Sequence, residues 1–245
     1  MTGIIFAAGI GSRLKPFTDF HPKALAEVGG VPMVVRVAHK LLKAGADRLI
    51  INLHHFPEQI VDCISRQDFA DMVTFSDESS LLLDTGGALA KIQRELLADN
   101  EEPVVVHNAD ILTDFPICEM MRKHIDADAD VTILTDPMRK STRHFLFDDR
   151  GGLKGWENTA TAERKPSGLC TEDLSTASFG GVHIYSPSVL KELGKMPADT
   201  PFSIIDWYIA HCERLKIQGY TPSAPYMWHD IGTTEKLAAA NAAFN

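Results

Sequence analysis

Two rhythms of apolar and polar positions run along this chain, and the change from one to the other marks out its elements. Ile4 to Ala8 is an unbroken apolar run closed by Gly9, the pattern of a strand covered on both faces of a sheet. Further short apolar runs at 48–53, 72–75, 103–107 and 130–135 predict strands of the same kind. Between them, apolar residues three and four apart predict helices over 32–44, 57–66, 86–98 and 116–125. Strands that alternate with helices predict parallel pairing, because parallel neighbours need crossover connections. The expected fold class is α/β: a three-layer, mostly parallel twisted sheet with helices on both faces. Ligands of such sheets lie beyond the carboxyl ends of the strands. The glycine loop after Ala8, the loop near Asp77 and the segment Asn108 to Asp110 all follow predicted strands, so they are expected at one edge.

Past residue 140 the pattern changes. His144 to Phe147, a D-D-R-G-G turn and Leu153 to Trp156 predict a β-hairpin. Residues 158–175 are polar without periodicity and read as a long loop. A strand at Phe179 to Tyr185, helices near 186–194 and 202–214, and a strand near 215–220 follow. After Trp228 to Ile231 a last helix begins at about Thr233, with Thr233 as its cap and Glu235 in its first turn.

The 245 residues, 44% hydrophobic and 23% charged, suit a soluble globular protein, expected to form one extended domain over 1–245. A formal charge of −9 gives no basic face for nucleic acid or an anionic membrane, so neither partner is expected. Cys63, Cys118, Cys170 and Cys212 are far apart and form no C-x-x-C, which argues against zinc and a disulfide scaffold and for a reducing compartment. Met1 leads into a buried strand without a basic leader or long apolar stretch, so no signal peptide or membrane helix is expected and the cytoplasm is the expected location. Oligomeric state is not readable from the sequence.

The candidate chemistry lies directly after the first strand. Gly9 and Gly11 permit a tight turn and close approach of a ligand, and successive amide N–H groups there can bind an anion. Arg13 presents a planar fork to phosphate oxygens and Lys23 a movable point charge, a pair suited to a polyphosphate. A dinucleotide-binding fingerprint would place glycine or alanine at 14 and an acid at the second strand's end, where Leu14 and Asn52 stand. No P-loop string follows the strand either. His54 and His55 are adjacent, so in a strand they would point to opposite faces; they read as loop or surface residues rather than a metal pair.

Residues 7–25, A-A-G-I-G-S-R-L-K-P-F-T-D-F-H-P-K-A-L, resemble the signature of sugar-1-phosphate nucleotidyltransferases, A-A-G-x-G-x-R-L-x-P-x-T-x-x-x-P-K-x-L, at each named position. Leu83 to Gly87, Asn108-Ala109-Asp110, Ser178 to Gly181 and His229 to Thr233 resemble the later landmarks of that family in order. Within it the chain is most similar to short bacterial uridylyltransferases acting on N-acetylmuramate 1-phosphate, with heptose and mannose 1-phosphate enzymes close behind. The resemblance implies a glycosyltransferase-A-like sheet with a small hairpin extension for the sugar, residues 1–135 binding nucleotide and 136–245 holding sugar and a second metal ligand.

It also implies transfer of a nucleotidyl group from a nucleoside triphosphate, UTP by this reading, to a sugar 1-phosphate, with Mg2+ as cofactor. The metal-binding aspartates fall on Asp110 and Asp230. Arg13 would brace the β- and γ-phosphates, and Lys23 would bridge the α-phosphate and the sugar phosphate, so Arg13, Lys23 and Asp110 are the expected catalytic groups. Ala7, Ala8, Gly9, Gly11, Asp77, Thr85, Gly86 and Gly87 complete the expected nucleotide site, with Glu78 as an alternative to Asp77. Asn108, Glu157, Gly180 and Gly181 are expected at the sugar. Relatives carry Glu-Lys-Pro after the hairpin; Trp156-Glu157-Asn158 has the better position and Glu163-Arg164-Lys165-Pro166 the chemistry, and both stay open. Guanylyl transfer to mannose or heptose 1-phosphate, cytidylyl transfer to phosphocholine, and a nucleotide-sugar-binding regulator without turnover are the alternatives.

Overall fold

The structure, a computed structural model, describes residues 1–244. The chain forms two compact units, each assembled from separated stretches: Met1–Leu83, Glu102–Ile117 and Ala224–Asn245 in the first, Asp84–Glu101 and Cys118–Ser223 in the second. The expected α/β fold of sheet strands and helices is what the chain adopts.

In the first unit four strands pair in parallel in the order Val104–Asn108, Thr2–Phe6, Arg48–Leu53, Val73–Asp77. Consecutive residues Ile4 and Ile5, Leu49 to Ile51 and Val104 to Val106 are all fully buried, which requires cover on both faces and explains the unbroken apolar runs. The helix Met33–Lys43 buries Met33, Val34, Val35, Val37, Ala38 and Leu41 on one stripe. Because the strands are parallel, the chain leaves Phe6, Leu53, Asp77 and Asn108 at one edge, with register Phe6 opposite both Asn52 and Asn108, and Leu53 opposite Asp77. A short antiparallel pair, Ile111–Thr113 with Trp228–Asp230, sets Asp230 opposite Ile111. The helix Thr234–Phe244 follows, with the Lys236 amide donating to the Thr233 hydroxyl, the expected cap.

The second unit is built on a mixed sheet. Val131–Asp136 pairs in parallel with Ile217–Tyr220 and antiparallel with Ser175–Tyr185, which pairs onward with Arg143–Phe147. The expected hairpin is present as Arg143–Phe147 and Leu153–Asn158. One expectation is overturned: residues 158–175 are not a continuous loop, because Glu163–Lys165 is a strand antiparallel to Leu153–Asn158. It is an edge strand with Glu163 and Arg164 exposed, so no apolar alternation announces it.

Candidate functional site

The signature segment of the first unit folds as three short 3-10 turns, Ser12–Leu14, Phe17–Asp19 and Lys23–Leu25. Gly11 stands at φ 68, and a Cβ there would lie 2.9 Å from both Lys23 Cβ and Thr18 Cγ2. Glycine is thus needed for backbone conformation and for space. Thr18 donates its hydroxyl to the Gly11 carbonyl at 3.0 Å, and His55 Nε2 meets the Thr18 carbonyl at 3.1 Å, tying the loop to the end of the next strand. At Gly9 an added Cβ would meet nothing within 4 Å, so the protein leaves that face of the turn open.

Lys23 and Asp110 form an ion pair, their side chains only 12% and 30% exposed. Asp110 sits in the turn between Val104–Asn108 and Ile111–Thr113, and its carbonyl accepts from the Ile231 amide at 3.0 Å. Asp110, in the turn just before Ile111–Thr113, and Asp230, on the strand paired with Ile111–Thr113, are therefore neighbours along the backbone ladder. Asp230 Oδ1 accepts from the Gly232 amide at 2.6 Å, and Oδ2 pairs with Lys236. Burial raises the Asp230 carboxyl, but the Lys236 and Gly232 hydrogen bonds and the charges of Lys236 and Lys23 outweigh it and hold the group below the usual carboxylate range. It is an anion at neutral pH.

Gly232 shows how closely these groups gather. A methyl on its Cα would lie 2.7 Å from Asp230 Oδ1, 3.3 Å from an Arg13 guanidinium nitrogen and 3.4 Å from Lys23 Nζ. Two cations and a carboxylate thus converge on Gly232 and leave no room for a side chain there, with Asp110 held by the same lysine. The sequence reading placed Arg13, Lys23, Asp110 and Asp230 individually; it did not single out Gly232 or Lys236. The two-residue spacing from Asp230 to Gly232 was the available signal for the first, and Lys236, in the first turn of Thr234–Phe244, had none.

The remaining predicted nucleotide residues divide between the units. In the first, Ala7 and Ala8 are buried and both backbone N–H groups point to Asn52 Oδ1, at 2.7 and 3.3 Å. The amides of these two residues are therefore occupied within the protein. Asp77 is exposed and accepts from the Ser79 amide at 2.8 Å, whereas Glu78 is 1% exposed and turned inward. In the second unit, Thr85, Gly86 and Gly87 lie in the first turn of the helix Asp84–Leu96. The Thr85 hydroxyl accepts from the Ile204 amide at 3.1 Å, and a Cβ on Gly86 would come within 2.2 Å of the Phe202 ring. Helix packing against 202–204 already accounts for that glycine.

The same applies to part of the predicted sugar set. Gly180 is buried, with an added Cβ only 2.5 Å from Leu134, and Gly181 at φ 81 lies where the strand register shifts between Phe179 and His183. Glu157 is opposite Arg164 in the ladder, with Arg164 donating to its carboxylate at 3.3 Å. Lys165, opposite Trp156, lies 5.4 Å above that ring and donates to Asp206 at 2.7 Å. The two stretches that competed for one role are thus partners in a single ladder. Asn108, half-buried, ends its strand in the first unit opposite Phe6.

Comparisons with known proteins show the family. The family model described as nucleotidyl transferase matches residues 2–245. The chain belongs to that family. A relative from Caulobacter vibrioides, an N-acetylmuramate alpha-1-phosphate uridylyltransferase, is 26% identical over 247 residues, covering 98% of this chain and 95% of that protein. A mannose-1-phosphate guanyltransferase of Schizosaccharomyces pombe is 25% identical over 236 residues, 95% of this chain. This chain spans 61% of that protein's length and 52% of a Yarrowia lipolytica counterpart. Among solved structures, HddC of Yersinia pseudotuberculosis complexed with GMP-PN superposes with a TM-score of 0.73 at 20% identity, over all of this chain and 99% of that one. UDP-glucose pyrophosphorylase complexed with UDP-glucose gives 0.76 at 16% identity, over 99% and 97%. These two structural likenesses speak to the nucleotidyltransferase fold. Among the described residues no helix is long and apolar enough to cross a membrane.

Proposed function

We propose that this nucleotidyl transferase family member is a sugar-1-phosphate nucleotidyltransferase, taking UTP and N-acetylmuramate 1-phosphate or a related sugar phosphate. The observation that carries the reading is the convergence of Arg13, Lys23 and Asp230 at Gly232, with Asp110 paired to the same lysine. Arg13 binds the departing phosphates and Lys23 the α-phosphate and the incoming sugar phosphate. Their charge offsets the repulsion between two anionic substrates and holds them in line. An ionised oxygen of the sugar phosphate attacks the α-phosphorus; the new P–O bond forms as the bond to the bridging oxygen of the β-phosphate breaks, and pyrophosphate leaves. The nucleophile is already deprotonated, so no general base is required.

The donor set suits a hard divalent cation such as Mg2+, which is held by one or two carboxylates and completed by phosphate oxygens and water. Asp110, in the turn before Ile111–Thr113, and Asp230, on the strand paired with it, supply two such carboxylates, and no third His, Cys, Asp or Glu joins them among the described residues. When bound, the cation supplies charge stabilisation at the attacked phosphate. Lys23 pairs with Asp110 and Lys236 with Asp230.

The uridylyl reading is supported by the Caulobacter vibrioides relative, matched over 95% of its length. Guanylyl transfer to mannose 1-phosphate is the second reading, supported by the fungal guanyltransferases. Pyrophosphate release measured for UTP, GTP, CTP and dTTP against several sugar 1-phosphates and phosphocholine separates them. We expect turnover with UTP and N-acetylmuramate 1-phosphate. GTP with mannose 1-phosphate would select the second reading, and release with CTP and phosphocholine alone would reject sugar transfer.

A further inference from the structure

Asn52 occupies the place where a dinucleotide-binding protein would carry an acid, and its side chain is 3% exposed between two loops of the first unit. Its Oδ1 accepts from the amides of Ala7 and Ala8, the last two residues before Gly9. Its Nδ2 donates to Glu78 Oε1 at 2.8 Å, and Glu78 Oε2 accepts from the Leu83 amide at 3.2 Å. The Glu78 amide donates to the Leu53 carbonyl at 2.8 Å, and His54 Nδ1 meets the Glu78 carbonyl at 2.7 Å. A carboxylate 1% exposed is costly unless its lone pairs are filled, and here both oxygens have donors. The polarity of the chain of contacts is fixed throughout. Backbone N–H groups on one side require the oxygen of Asn52, which leaves its NH2 for an acceptor, and Glu78 is that acceptor.

We infer that Asn52 and Glu78 are positioning residues for the triphosphate loop: Glu78 orients Asn52, and Asn52 fixes the point at which the chain leaves the first strand for Gly9. The inference rests on the reading of residues 9–23 as the triphosphate site. It assigns the amides of Ala7 and Ala8 to the scaffold rather than to phosphate, so the anion-binding amides begin at Gly9. It also explains why the sequence carries an amide and not an acid at 52. A carboxylate there would face Glu78 across a hydrogen-bond distance.

A polarity exchange tests this. Asn52→Asp sets two carboxylates against each other, and Glu78→Gln leaves one donor facing another, whichever way the new amide turns. The double variant N52D/E78Q restores every donor to an acceptor: the new carboxylate accepts from Ala7, Ala8 and the new amide, whose oxygen accepts from Leu83. Binding of UTP and GTP, each with magnesium, is followed by calorimetry, and KM for triphosphate and sugar phosphate by steady-state kinetics. Each single variant is expected to weaken triphosphate binding by about tenfold, the scale of one lost buried hydrogen bond, with the sugar-phosphate KM little changed. The double variant is expected to recover to within about threefold of wild type. Should Asn52→Asp fail to fold, Glu78→Gln, which adds no like-charge contact, carries the comparison. Wild-type binding with unchanged single variants, or equal losses for both substrates, overturns the inference alone. Failure of the wild type to bind either triphosphate refutes the loop reading, and the inference falls with it.

Discussion

Gly9 and Gly11 stand two residues apart in the same turn and answer to different constraints. Gly11 has the left-handed φ of 68 and no room for a Cβ, while Gly9 has neither restriction within the protein. Gly11→Ala is expected to lower stability by about 1–3 kcal/mol through backbone strain and the contacts with Lys23 and Thr18. Gly9→Ala is expected to stay within about 0.5 kcal/mol of wild type. Urea denaturation of the two variants measures the difference, and a Gly11→Ala protein as stable as wild type would contradict the account. At this scale Arg13 and Lys23 stood out as cations beside a glycine turn, whereas Asp110 and Asp230 were marked only by the family resemblance, since aspartate is common in any turn. Asn52 and Glu78 were not. Their roles depend on which way buried side chains point, and a single amide or acid in a sequence does not carry a direction.

The elements separate by how much apolar surface they bury. The four parallel strands of the first unit, with fully buried neighbours such as Ile4 and Ile5, were visible as apolar runs, and the helix Met33–Lys43 as a stripe. Glu163–Lys165 was not, since an edge strand of charged residues has no such pattern. Each unit also carries a buried histidine, His107 in the first and His124 in the second. His124, on the helix Ile117–Asp126, contacts the Thr132 and Ser186 hydroxyls at 2.9 and 3.2 Å. Burial pushes its pKa down to about 4, against the opposing charges of Asp130 and Asp128, and burial does the same to His107, to about 4. Below the unfolded value of about 6.5 the unfolded chain takes up protons that the fold refuses. Stability therefore falls as pH drops from about 6.5 towards 4, by up to about 1.4 kcal/mol per unit for each histidine, and the loss is complete below 4. Denaturant unfolding at pH 7 and pH 5 should show this slope, reduced in His124→Gln; equal stability at the two values would contradict it.

In the whole molecule, each compact unit is assembled from stretches that are distant along the chain, so neither is readable as a continuous block. Long-range pairings such as Asp230 opposite Ile111 put the second carboxylate beside the first, and no local pattern specifies them. In the sequence the family resemblance marked Asp110 and Asp230 through two separate landmarks, and the strand pairing brings those landmarks side by side. The central claim is that this carboxylate and lysine cluster transfers a nucleotidyl group. Pyrophosphate release by wild type and Asp110→Ala, with the preferred triphosphate and sugar 1-phosphate and with folding matched by thermal melting, tests it most directly. The account predicts rapid release by wild type and near-complete loss in the folded variant; unchanged turnover in Asp110→Ala would contradict it.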